Sequence, residues 1–135
     1  MRRHSGGFTM VELVIVLLVV AILSAIAVPA YRSQMFKGRR ADAREAVTQI
    51  QQAQERWRST NATYAATVAA LGQSATSSGG NYALSVSNAT ASGYTVTATA
   101  QARQAGDTNC TPMTLTVAGN NTTYGPTNAY KCWGF

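Results

Sequence analysis

The sequence predicts an α+β chain, a long N-terminal α-helix packed on a small antiparallel sheet of three or four strands. Three observations carry this expectation. The run Leu13 to Val28 holds sixteen residues with a single Ser24 and no charge. An amphipathic stripe follows as far as Trp57. Beyond it, apolar residues alternate with Ser and Thr in three short runs bounded by Ser92-Gly93 and Gly119-Asn120.

The apolar run comes first. Counted from Phe8 it is 21 residues long, about 31 Å as a helix at ~1.5 Å per residue. A hydrocarbon core is roughly 30 Å thick. A buried soluble helix does not account for it, because the 77 residues beyond Arg58 cannot enclose a helix that is apolar on every face. The segment is therefore read as a membrane span. Pro29 at its end lacks an N–H and leaves the Ala25 carbonyl without its usual partner, which predicts a kink or break.

From Tyr31 onward the pattern changes. Ala43, Ala46, Val47, Ile50, Ala53, Gln54 and Trp57 recur at steps of three and four, the spacing of one helix face. Ser59-Thr60 and Asn61 to Thr63 read as a stop. One nearly continuous helix from about Thr9 to Arg58 would run roughly 75 Å, with Gly38 weakening it by about 1 kcal/mol. The segment Tyr64 to Leu71 reads as a short helix or connector capped by Gly72, and Ser74 to Asn81 as a turn region. Strands are expected from Tyr82, Tyr94 and Met113, with Tyr124, Tyr130 or Trp133 opening an irregular fourth.

Charge is scarce and uneven. The net formal charge is +6, yet charged residues make up only 12% of the chain, about half the usual ~25%. Lys37, Arg39, Arg40 and Arg44 cluster on the predicted helix, where pairing with Asp42 and Glu45 is the expectation. From Ser59 onward only Arg103, Asp107 and Lys131 are charged. That count speaks against nucleic acid as a partner, since phosphate attraction needs clustered cations. The lone His4 and five acids provide no catalytic constellation, so neither an enzyme nor a cofactor or metal is expected.

The leader is unusual. A secretory signal has its small-residue cleavage site after the apolar region, whereas here Gly6 and Gly7 precede it. Cleavage after Gly7 would keep the apolar helix as the new N-terminus. Arg2 and Arg3 would hold the leader on the cytoplasmic side. Glu12, the only charge within the span, costs about 2.5–3.5 kcal/mol when placed centrally in a membrane and less near an end.

Gly7-Phe8-Thr9-Met10-Val11-Glu12-Leu13, the apolar run and Pro29 together resemble the class III signal of type IV pilins. The resemblance implies a pilin-like fold with residues 1–7 as leader and 8–30 as the membrane and filament-core helix. The head would be 31–135, comprising helix 31–58, connector 59–81, and sheet with disulfide loop 82–135. It implies a prepilin peptidase cutting between Gly7 and Phe8, N-methylation of Phe8, and Glu12 pairing with the N-terminal amine of a neighbouring subunit. Ala21 departs from the pattern, because many members carry Gly there, and Ala resists the helix unwinding that Gly favours.

Cys110 and Cys132, in a region placed outside the cytoplasm, are expected to form a disulfide rather than a metal pair; free or intermolecular thiols are the alternative. The stretches Asp107 to Cys110, Leu115 to Val117 with Gly119, and Cys132-Trp133 resemble the C-terminal disulfide loop of PilE-like minor pilins. Arg39 to Ala46, Glu55 to Trp57, Asn61 and Tyr64 extend that likeness. The resemblance implies a structural subunit of a type IV pilus, serving biogenesis, twitching motility or adhesion. Its partners would be other pilins, the peptidase and the inner-membrane assembly machinery. It would sit in the inner membrane first and in the extracellular pilus after assembly. The alternatives are a type II secretion pseudopilin, for which Asp107 alone is a poor calcium set, or a DNA-uptake receptor pilin.

Overall fold

The computed structural model describes residues 7–135; the expected leader, with Arg2, Arg3 and His4, lies outside them except for Gly7. Helix α1 runs Met10–Arg58 over 49 residues. It is helical throughout, so Pro29 and Gly38 lie within it; of the kink or break expected at Pro29, the break is not made. The described residues form two compact units, divided between Met35 and Phe36.

In the first unit the apolar side chains from Leu13 to Val28 are exposed all round the helix. Among the described residues nothing covers them, as the membrane reading requires.

The second unit is a four-stranded antiparallel sheet ordered β1 (Tyr82–Ser87), β2 (Gly93–Ala100), β3 (Met113–Ala118) and β4 (Asn121–Gly125). The register sets Leu84 against Ala98 and Val96 against Leu115, so one face gathers every second side chain. That face buries Tyr82, Leu84, Tyr94, Val96, Ala98, Met113, Leu115 and Val117. The α1 stripe Ala43, Ala46, Val47 and Ile50 joins the same core. The opposite face carries Ser85, Thr97 and Thr114 in one row and Ser87, Thr95, Thr116 and Thr123 in the next.

Gln54 explains its place in an apolar stripe. It is fully buried, and its amide donates to the Ala65 carbonyl and accepts the Ala65 N–H, both at 2.8 Å. A buried amide is tolerable when both of its ends are satisfied. The connector then makes a short 3₁₀ turn, Ala69–Leu71, closed by Gly72 at φ 67° with its N–H on the Ala69 carbonyl. A second 3₁₀ segment, Ala102–Gly106, follows β2.

Two expectations are corrected. Tyr124 lies in β4, but Tyr130 and Trp133 belong to a short helix α2, Ala129–Trp133. There Cys132 and Trp133 are buried and Gly134 closes the end at φ 80°. Asp42 does not pair with the basic cluster. The fold delivers the turn region to it, and its carboxylate accepts bonds from Ser77 Oγ (2.6 Å), Ser78 Oγ (3.2 Å), the Gly79 N–H (2.9 Å) and Asn81 Nδ2 (2.9 Å). A Cβ at Gly79 would meet Asp42 Oδ2 and Asn81 Nδ2 at 2.7 Å, so a side chain there would push these groups out of the clasp.

The disulfide forms between Cys110 and Cys132, with Cα atoms 5.5 Å apart and a separation of 22 in sequence. It ties α2 to the loop before β3. In the chain-entropy account a closure of this length stabilises by about 3 kcal/mol. Reducing it in the full chain in detergent is expected to lower unfolding stability by that order, read from urea titrations with and without reductant.

Partial burial acts to raise the Asp42 carboxyl, but the bonds from Ser77, Gly79 and Asn81 outweigh it and hold the group below its ordinary 3.8. A depressed carboxyl contributes stability above its unfolded value and loses it as pH falls through its folded value. Asp42→Asn is therefore expected to destabilise the chain at pH 7, with the difference from wild type shrinking as pH falls below 3.8 and through the lowered folded value. Thermal melts across pH check this, and a pH-independent difference would count against it.

Candidate functional site

The N-terminal segment supplies the first set of expected residues. Thr9 caps α1, its Oγ1 accepting the Glu12 N–H at 3.2 Å and its carbonyl accepting the Leu13 N–H at 3.2 Å. This is one half of a capping box, Thr-x-x-Glu. Gly7, Phe8 and Glu12 thus fall at one helix end, with Phe8 83% exposed. Glu12 stands in the first turn, where the helix dipole favours a carboxylate. Among the described residues no cation lies within ion-pair distance of it. Pro29 lies about five turns further along and shares no site with them.

The second set was not assembled by sequence reasoning. Lys37 and Arg40 of α1, Asn109 and Cys110 of the loop, and Asn128, Tyr130, Lys131 and Cys132 of the C-terminal segment line a cleft of about 700 Å³. Lys37 and Lys131 are exposed. Tyr130 is 57% exposed, with Lys131 Nζ 5.6 Å from its ring centroid, within cation–π range. No carboxylate lines the cleft.

Several contacts place α2 there. The disulfide holds Cys132. Arg40 Nη1 donates to the Lys131 carbonyl at 3.1 Å, and Arg44 Nη1 to the Trp133 carbonyl at 2.7 Å. Trp133 Nε1 donates to the Gly125 carbonyl at 2.8 Å, and its ring meets Tyr124 at 4.9 Å. Cations that sequence separates by 91 positions or more thereby line one cleft.

Arg40 differs from the two lysines. Its Nε and Nη2 bind Asp107 Oδ2 and Oδ1 at 2.7 and 2.8 Å, which raises the guanidinium pKa further despite some desolvation. Gln104 Nε2 lies 3.1 Å from Asp107 Oδ2 and donates to the Tyr82 hydroxyl at 2.9 Å. Burial pushes the Tyr82 phenol up, partly offset by the Gln104 bond, so it stays neutral.

Asn109, Asn128 and Tyr130, like Gln104, carried no signal in the sequence as site residues. The one available hint was that a disulfide at Cys132 carries its neighbour Lys131 to Asn109. That α1 forms the opposite wall required the fold. With two free cations, two amides and an exposed aromatic ring, the cleft has the chemistry to receive a phosphodiester and an adjoining base or sugar.

A family model described as type IV minor pilin ComP, DNA uptake sequence receptor, matches residues 29–114. A second, the prokaryotic N-terminal methylation motif, matches residues 2–28. The first match spans more than half of the chain, and the chain belongs to that family of type IV minor pilins. It is a minor pilin of a type IV pilus, anchored in the inner membrane by its apolar helix and later assembled with other pilins. The family is structural rather than catalytic.

Proposed function

We propose that this minor pilin is a DNA receptor of the pilus, seating the phosphate backbone of duplex DNA in the cleft between α1 and α2. The observation that carries the reading is that Lys37 and Lys131 line one cleft with no carboxylate among its lining residues, the Arg40 between them being paired with Asp107. The DNA uptake sequence receptor named in the matching family model supports it. Along the sequence Lys37 and Lys131 stand in separate stretches, and only the fold brings them to one cleft. Phosphate contacts supply most of the affinity and position the duplex, while groups such as Asn109, Asn128 and Tyr130 are of the kind that read bases or sugars.

Each phosphate contact neutralised by a lysine changes the slope of log affinity against log salt by about 0.9. Lys37→Ala and Lys131→Ala are each expected to make that slope shallower by about one and to weaken duplex binding at low salt. Lys37→Ala together with Lys131→Ala should approach two. Filter binding by the full chain in detergent across a salt series measures this. Slopes equal to wild type in both single variants would remove the cleft from the interface.

We propose further that cleavage falls between Gly7 and Phe8, and that the Glu12 carboxylate meets the Phe8 amine of a neighbouring subunit during assembly. An acid exposed on an apolar helix is costly in lipid unless paired, and Glu12 occupies the exposed first turn. Pro29 is proposed as the point at which α1 yields when helices bundle. Glu12→Ala is expected to leave membrane insertion intact and to lower the subunit's share of sheared pili several-fold. Quantitative mass spectrometry against the main pilin reads the effect, and an unchanged share argues against the pairing.

A further inference from the structure

We propose that Asp107 governs the charge of the cleft: by clamping Arg40 it withholds one cation from incoming phosphate and makes Arg40 the residue that positions Lys131. The proposal rests on the reading of the cleft as a phosphate seat.

Arg40 stands in the cleft wall, yet each of its three nitrogens is engaged. Nε and Nη2 hold the two oxygens of Asp107 at 2.7 and 2.8 Å, and Nη1 holds the Lys131 carbonyl at 3.1 Å. The two side chains are 11% and 3% exposed. Charges so shielded attract one another more strongly than at the surface, and the paired bonds fix the guanidinium plane. A phosphate recruiting Arg40 must displace a carboxylate already seated on it, and must approach that carboxylate's negative charge. The pair is neutral as a unit. Incoming phosphate therefore meets Lys37 and Lys131 alone.

Asp107 is itself held in place. Gln104 Nε2 lies 3.1 Å from Oδ2, and the same amide nitrogen reaches the Tyr82 hydroxyl at 2.9 Å and the Phe36 carbonyl at 3.3 Å. Gln104 is fully buried, so the clamp is anchored from inside the head. On the other side, α2 has only five residues and no side-chain cap at its start. Among the contacts that place α2, the Arg40 bond is the side-chain bond made to Lys131 itself, at its carbonyl. Arg40 is thus a positioning residue whose charge is spent internally.

The test uses the full chain in detergent and a duplex of fixed sequence over a salt series. Asp107→Asn releases Arg40. Its slope of log affinity against log salt should steepen by about 0.9, so the affinity ratio between 50 and 200 mM salt grows about three- to fourfold. Arg40→Gln combined with Asp107→Asn removes cation and anion together. That double variant should keep the wild-type slope while binding several-fold more weakly, because Lys131 still reaches phosphate but is held less firmly by the disulfide at Cys132 alone. An unchanged slope in Asp107→Asn, or a slope shallower by about 0.9 in the double variant, overturns the proposal. If Asp107→Asn fails to fold, the double variant decides, since it leaves no buried ion unpaired.

A DNA-free readout separates this proposal from the reading beneath it. The Arg40 Nε–H resonance should exchange slowly with water in wild type and rapidly in Asp107→Asn. Rapid exchange in a wild type that binds DNA normally overturns the clamp alone. A wild type that binds no duplex removes the phosphate seat, and the governor with it, whatever the exchange rate.

Discussion

One helix has to satisfy two unlike surroundings, and the rest of the molecule follows from that constraint. From Leu13 to Val28, α1 is apolar around its whole circumference and exposed, so it is stable only where lipid or other apolar helices replace water. From Ala43 to Gln54 it is apolar on one stripe, and that stripe is buried. The sheet supplies its cover with a single apolar face, leaving rows of hydroxyls outside. A small head of this kind has a limited core. That is where the disulfide, the Gln54–Ala65 pair and the Asp42 clasp take on weight.

Much of this was legible along the chain because it depends on periodicity. A run without charge, a stripe at steps of three and four, and strict alternation each name their element, and the observed bounds agree closely for α1, β1, β2 and β3. The end of the chain was harder. Tyr130 and Trp133 read as strand residues by type, but the disulfide and the burial of Cys132 and Trp133 favour a single helical turn there. Tertiary closure overrode local preference. At Pro29 the opposite held, since the helical pattern continued across a residue that locally disfavours it.

The candidate site was legible in part only. Gly7, Phe8 and Glu12 follow one another in sequence, so their motif could be read directly. The cleft could not, because its walls come from Lys37 and Arg40 on one side and Tyr130 and Lys131 on the other. Charge pairing failed for the same reason. Neighbours such as Asp42 and Arg40 stand two apart on a helix and do not face each other, while Asp107, 67 positions from Arg40, meets it in a two-pronged pair.

Scarcity makes each charge consequential. With so few acids in the head, Asp42 is committed to the Ser77–Asn81 turn and Asp107 to Arg40, and both commitments are multiply bonded. Arg44 and Arg58 are likewise occupied by backbone carbonyls. The cations left for a partner are then those without an internal duty, and Lys37 and Lys131 are the ones the fold gathers at a concavity with an aromatic ring between its amides. In a highly charged protein such a pair would be one surface patch among many. Here it stands against a head whose sheet face is nearly charge-free, so an anionic polymer would be drawn to the disulfide end rather than to the sheet.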